Sequence, residues 1–165
     1  AERVMVLDFD AHHGDGTEEI LADRPGVRFL SLFQWPLFPH RRMEPTPSNA
    51  VLSPLPAGAG GEEIRNVVEN VWLPEIDKFQ PDLMILSAGF DAHCEERIAQ
   101  LKAGEMDYAC VTRLLVEASF AYCEGRLVSV LEGGYELRSL ARSVFTHLQG
   151  LIRNPLPAET CKDPN

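Results

Sequence analysis

Three stretches of this 165-residue chain gather ionisable and hydroxyl-bearing side chains where apolar runs end. Val4-Met5-Val6-Leu7 leads into Asp8-Phe9-Asp10-Ala11-His12-His13-Gly14-Asp15, an apolar run after Asp82 leads into Ser87-Ala88-Gly89-Phe90-Asp91-Ala92-His93, and Leu131 leads into Glu132-Gly133-Gly134-Tyr135. Asp8, Asp10 and His12 recur at every second residue, so an extended backbone projects them to one side, where a carboxylate and an imidazole suit a divalent cation. Asp91, at a neighbouring strand end, offers a third ligand. Three protein ligands leave a position for water, as in catalytic zinc sites; two carboxylates and one imidazole suit zinc and leave iron, cobalt or manganese open. Taken alone, the first stretch also reads as a polar turn whose aspartates cap a helix. The company of Asp91 and Tyr135 favours the metal.

Such groups meet only if their strand ends converge. Val4 to Asp8, Val27 to Phe33, Ala50 to Leu55, Asp82 to Ser87 and Arg126 to Leu131 read as strands. Helices are expected after Gly14 with Thr17 as cap, over Glu62 to Lys78 with Ile64, Val67, Val68, Val71 and Trp72 on one stripe, over Glu105 to Glu124, and over Leu137 to Ile152. Gln34 to Asn49, rich in proline and bearing His40-Arg41-Arg42, reads as a long irregular loop. Continuously apolar strands alternating with helices imply an α/β fold, a three-layer α/β/α arrangement on a mainly parallel sheet, with ligands beyond the carboxyl ends of the strands.

The length fits one domain. No stretch approaches the roughly 20 apolar residues of a membrane-spanning helix. A net charge of -10 argues against a nucleic-acid or anionic-membrane partner, which would call for clustered Lys and Arg. Ala1-Glu2-Arg3 runs straight into a strand without a basic and apolar leader, which favours the cytoplasm and makes the start abrupt. Cys94, Cys110, Cys123 and Cys161 form no C-x-x-C pair.

In order along nearly the whole chain, the three motifs Asp8 to Gly16, Ser87 to His93 and Leu131 to Tyr135 resemble those of the zinc-dependent histone deacetylases and acetylpolyamine amidohydrolases. The resemblance implies an arginase/deacetylase-like fold, with residues 1–153 as the C-terminal part of the catalytic domain and 154–165 as a loose tail. It implies Asp10, His12 and Asp91 as zinc ligands, the set reached above from the residues, and Tyr135 as a donor to the transition state. Gly133 and Gly134 would let the backbone bend past the substrate, Gly134 lying at it. The resemblance also implies a K⁺ or Na⁺ site at Asp8, Asp10, His12, Ser31 and Leu32, and an acyl-chain tunnel lined by Phe38, a residue whose own setting suits loop packing as well.

In that family a histidine pair well upstream supplies the general base, oriented by the residues matching Asp8 and Asp15, yet Asp8 stands seven positions from the start of this sequence. His12-His13 does not replace the pair, because His12 is a ligand and its neighbour points the other way; His13 is expected behind the site, and His147 is expected to be structural. The expectation is therefore a fragment, a split protein or a chain completed by another polypeptide or by self-association. Phe38-Pro39 runs on into His40-Arg41-Arg42 rather than glycine, and His93 into Cys94-Glu95-Glu96-Arg97 rather than an acid and a proline, so substrate preference does not carry over. The expected function is zinc-dependent removal of acetyl or a similar acyl group from acetyl-lysine or acetylated amines. The alternative is a truncated, non-catalytic module that binds metal or a partner.

Overall fold

Apolar segments of five to eight residues separated by helical stretches build one sheet in the computed structural model, which describes residues 1–152; the expected loose tail lies outside them. Strands β1 (Val4–Asp8), β2 (Val27–Gln34), β3 (Ala50–Leu55), β4 (Leu83–Ala88) and β5 (Leu127–Leu131) are all parallel, in the order β3-β2-β1-β4-β5. Pro54 sits in β3, an edge strand, where a residue lacking an N–H is tolerated. Burial of Met5, Leu7, Leu30, Leu32, Met84 and Leu86 makes the three central strands the core. Their register sets Asp8 beside Ser31 on one side and Ser87 on the other, so the three strand ends are level.

Helix α1 (Asp15–Leu21) packs on β2. It begins directly after Gly14 with no side-chain cap, so Thr17 lies inside it rather than at its start. The expected single helix over Glu62 to Lys78 is three pieces: α2 (Gly61–Val67), a π-helical turn (Val68–Trp72) and α3 (Leu73–Phe79). Pro74, at the start of α3, has no N–H for the preceding turn, and a widened turn accommodates such a gap while Val68, Trp72 and Ile76 stay buried. Helix α4 (Glu105–Cys123) connects β4 to β5 and packs against both, and α5 (Leu137–Leu151) lies along α4. Met84, Leu86 and Ala88 are buried, whereas the alternate residues Leu83, Ile85 and Ser87 are only half-buried. Val128 and Val130, in register with Ile85 and Ser87, are exposed on the edge strand, and Phe145 and Leu148 are exposed on α5. Exposed apolar residues on a strand that is an edge among the described residues, and on the helix that packs on its other face, are surfaces of the kind another polypeptide covers.

His147 is buried between the rings of Phe9 and Phe90. Thr112 spends its hydroxyl proton on the Tyr108 carbonyl, so the His147 Nδ1–H donates to Thr112 Oγ1 at 2.6 Å while Nε2 accepts from Ser129 Oγ at 2.8 Å. Both ring nitrogens are thus satisfied in the neutral form, and burial pushes the imidazole down to about 4. A depressed histidine pKa means that the unfolded chain takes the proton first, so its contribution is intact above about pH 6.5 and is lost as pH falls towards about 4. Urea unfolding between pH 6.5 and 4.5 is expected to lose up to about tenfold in the folding constant per pH unit through this group. His147→Gln is expected to remove that part of the slope.

Candidate metal centre

β1 ends at Asp8, and the residues that follow are held by side-chain-to-backbone turns rather than by strand pleating. Asp8 Oδ1 accepts from the Asp10 N–H at 3.0 Å, and Asp10 Oδ1 accepts from the His12 N–H at 2.8 Å. The spacing of two therefore brings the three side chains together by a different route from the one expected, since each aspartate folds onto the amide two residues ahead. Asp91, fully buried just beyond β4, accepts from the Ala11 N–H at 2.8 Å and so ties the two strand ends together.

The His12 Nδ1 stands 2.8 Å from Asp91 Oδ2 and 3.1 Å from Asp10 Oδ1, and one donor atom from each of the three residues lies within 4.8 Å of the others. The backbone is shaped around the carboxylates. A Cβ on Gly89 would fall 2.2 Å from Asp10 Oδ2, and one on Gly133 would fall 2.4 Å from the same atom and 2.5 Å from Asp91 Oδ2. The Gly133 N–H donates to Asp10 Oδ2 at 2.8 Å. Hydrogen bonds donated to Asp10 and Asp91 push the imidazole of His12 up to about 10 against the effect of burial. Burial opposes charge on Asp10, but hydrogen bonds from His12 and from the backbone hold its carboxyl below the usual range; at Asp91 burial prevails and raises it. Two carboxylates converging on one imidazole in a buried cradle fit a divalent cation.

A cavity of about 140 Å³ opens beside this cradle, lined by Asp8, Asp10, His12, Gly14 and Glu132 among others. Asp8 is buried, and desolvation together with the charges of Asp10, Glu132 and Asp91 raises its pKa well above the usual range, although the Asp10 amide opposes this. Asp15 is exposed at the first turn of α1, where its Oδ1 accepts from the Gly16 N–H. Ser31 is buried beside Asp8, with its Oγ 3.3 Å from His13 Nδ1, and Leu32 is buried in the core. Tyr135 is 61% exposed and follows Gly134, whose φ of +139° favours glycine and whose Cβ would meet Leu140 Cδ1 at 2.6 Å. Phe38 is 67% exposed, with its ring 6.5 Å from that of His12.

A network behind the site was not legible in the sequence. Glu18 of α1 bonds both His13 and Arg41, and the Arg41 carbonyl accepts from Trp35 Nε1 at 3.3 Å. Arg41 thus folds back as a strut for the loop that carries Phe38, and His13 is buried against Ser31 and Glu18, behind the cradle. Asn49 does similar work, with its Nδ2 donating to the Leu21 carbonyl at 2.8 Å and the Val27 carbonyl at 3.3 Å. Proline spacing marked the loop, but nothing in it marked which charge turns inward.

An α/β fold with a parallel sheet thus sets at its strand ends a carboxylate–imidazole cradle whose donor atoms could hold a metal ion. The sequence matches the histone deacetylase domain over residues 1–151, and the chain belongs to that family. It is 34% identical over 169 residues to Histone deacetylase 10, chloroplastic, of Oryza sativa subsp. japonica, covering 99% of this chain and 38% of that protein. It is 32% identical over 174 residues to the Polyamine deacetylase HDAC10 of Mus musculus, covering 94% of this chain and 25% of that protein. The crystal structure of the HDA15 HD domain superposes with a TM-score of 0.85 at 29% identity, over 98% of this chain and 48% of that one. The chain thus spans between a quarter and half of the length of these relatives. Among the described residues no helix is long and apolar enough to cross a membrane.

Titration with Zn²⁺ or Co²⁺ is expected to give one site per chain, lost in Asp91→Ala. Gly133→Ala, which keeps every ligand but sets a methyl group against both carboxylates, is expected to weaken binding by at least about the 10–100-fold that loss of an outer-shell partner costs. Calorimetry and the Co²⁺ absorption spectrum would measure both.

Proposed function

We propose that this chain is the metal-holding part of an amidohydrolase that removes acetyl or a similar acyl group from acetyl-lysine or acetylated amines. The observation that carries the proposal is the convergence of Asp10, His12 and Asp91, with the ring of Phe38 6.5 Å from that of His12 and with Gly133, two residues before Tyr135, bonded to Asp10. A divalent cation held by those three residues, zinc in this reading, would polarise the amide carbonyl and lower the pKa of a water. Family membership supports deacetylation in general, and the name of the mouse relative adds polyamines to the candidate substrates. The cytoplasm as the place of action belongs to the same proposal.

The chain's own groups take distinct parts. Burial and then the charges of Asp91 and Asp10 raise the pKa of Tyr135, so its hydroxyl keeps its proton and can donate to the carbonyl oxygen as negative charge builds there. Phe38, beside His12 and free on its outer side, can flank the methylenes of an alkyl amine. Gly134, whose missing Cβ makes way for Leu140 as the chain turns into Tyr135, would meet the substrate through its backbone. A monovalent cation at Asp8, Asp10, His12, Ser31 and Leu32 is part of the proposal, supported by the buried Asp8 standing level with Ser31.

The general base comes from polypeptide outside this chain. Asp8, buried and with its charge disfavoured, lies beside the cavity where a histidine would give it a partner, and Asp15 offers a second carboxylate nearby. The exposed edge of β5 and the apolar face of α5 are where that polypeptide would dock. The same surface favours a second reading, a metal-binding module that holds a partner without turnover.

Acetyl-lysine peptide and acetylated polyamine are the substrates for the test. The 165-residue chain alone is expected to bind metal with turnover reduced by about 100–10,000-fold for want of the base. In the protein completed by the upstream histidines, Tyr135→Phe is expected to lower kcat by about 100–1,000-fold. Full activity of the chain alone would refute the external base; an active protein indifferent to Tyr135→Phe would refute the role of Tyr135; metal binding with no turnover in the completed protein would favour the partner module.

A further inference from the structure

The side chain of Tyr135 is exposed, so packing does not fix it, and its hydroxyl can be aimed only as well as its backbone is held. On one side the backbone is docked on the metal ligands: Gly133 N–H donates to Asp10 Oδ2 at 2.8 Å, and the Gly133 carbonyl accepts from the Phe90 N–H at 2.8 Å. Gly134, at φ +139°, then turns the chain. On the other side a single carboxylate oxygen, Glu96 Oε1, accepts from the Tyr135 N–H at 2.6 Å and from the Glu136 N–H at 2.7 Å. Glu136 caps α5, so the negative charge also lies at the positive end of a 15-residue helix.

Glu96 is itself well anchored. Its N–H donates to the His93 carbonyl at 2.9 Å, and the buried His93 ring accepts from the Glu95 N–H through Nδ1 at 3.1 Å. The Cys94 N–H donates to the Ala103 carbonyl at 2.8 Å, fixing the turn to the loop before α4. Arg142 of α5 bonds Glu95 at 2.5 Å and also bonds Glu105 at the start of α4, so α5 is joined to the turn and to α4. The chain of contacts runs from Asp91, a proposed ligand, through the turn after it to the main chain of the proposed donor.

We infer that Glu96 is a positioning residue that sets the main chain of Tyr135 over the metal cradle, an inference that rests on the reading of Tyr135 as the donor. Glu96 touches neither substrate nor metal in this role. It converts the rigidity of the turn after Asp91 into a fixed address for an otherwise unpacked side chain, and a charge-assisted double acceptor is stronger than a neutral one. Displacement of a reacting group by about 1 Å can cost about 100-fold in rate, so the effect should fall on kcat.

The test has two arms. In the isotope-labelled chain, Glu96→Ala is expected to speed hydrogen exchange of the Tyr135 and Glu136 amides at least about tenfold, the scale of one lost charged hydrogen bond. The Gly133 amide and the metal stoichiometry should not change, and Glu96→Gln, which keeps a carbonyl acceptor, should restore most of the protection. In the catalytically complete protein, Glu96→Ala is expected to lower kcat by about 10–100-fold with KM within about twofold, Glu96→Gln to recover most of it, and Glu96→Ala to add nothing in a Tyr135→Phe background. Unchanged exchange in Glu96→Ala would overturn the tether. A full additional loss in the Tyr135→Phe background would overturn the positioning role. Altered exchange in a completed protein that hydrolyses no acyl amide would instead refute the deacetylase reading and leave the tether standing.

Discussion

Everything in this chain depends on holding two carboxylates and an imidazole together where water is largely excluded. Asp10 and Asp91 repel each other, and burial disfavours the charge on each. His12 between them is driven to about 10, the response of a site that calls for positive charge. The parallel sheet makes this arrangement possible because register levels the ends of β1, β2 and β4, and the glycines at 89 and 133 let two further backbone segments close on the carboxylates. Packing of α4 and α5 behind the strands then fixes the platform without intruding on the site.

Much of this was legible in the sequence because strands and the polar clusters at their ends announce themselves by contrast. Apolar runs ending in Asp8, Ser87 and Leu131 mark the strand ends, and the residue types at Asp10, His12 and Asp91, the proposed ligands, have few structural uses together. The route by which they meet was not legible: Asp10 and His12 lie beyond β1 and are set by aspartate-to-amide bonds, which leave no periodic signature. The break in the helix at Val68–Trp72 was hidden by an apolar stripe that fits a regular helix.

The supporting contacts were hidden for a different reason. Glu18 with Arg41, and Glu96 with the amides of Tyr135 and Glu136, join residues 23 to 40 positions apart, and one partner in the second case is main chain, which composition cannot show. Both involve charged residues that a sequence reading assigns to solvent by default. Departures from the family pattern at His40-Arg41-Arg42 and Cys94-Glu95-Glu96 turn out to include the strut under Phe38 and the tether of Tyr135.

The measurement that reaches the centre of this account is an anomalous-difference map at the zinc absorption edge, from crystals of the chain grown with zinc. One peak bounded by Asp10, His12 Nδ1 and Asp91 is predicted, with the Gly133 N–H still donating to Asp10. A cradle in which His12 keeps both carboxylate hydrogen bonds while zinc binds elsewhere, or not at all, would contradict it.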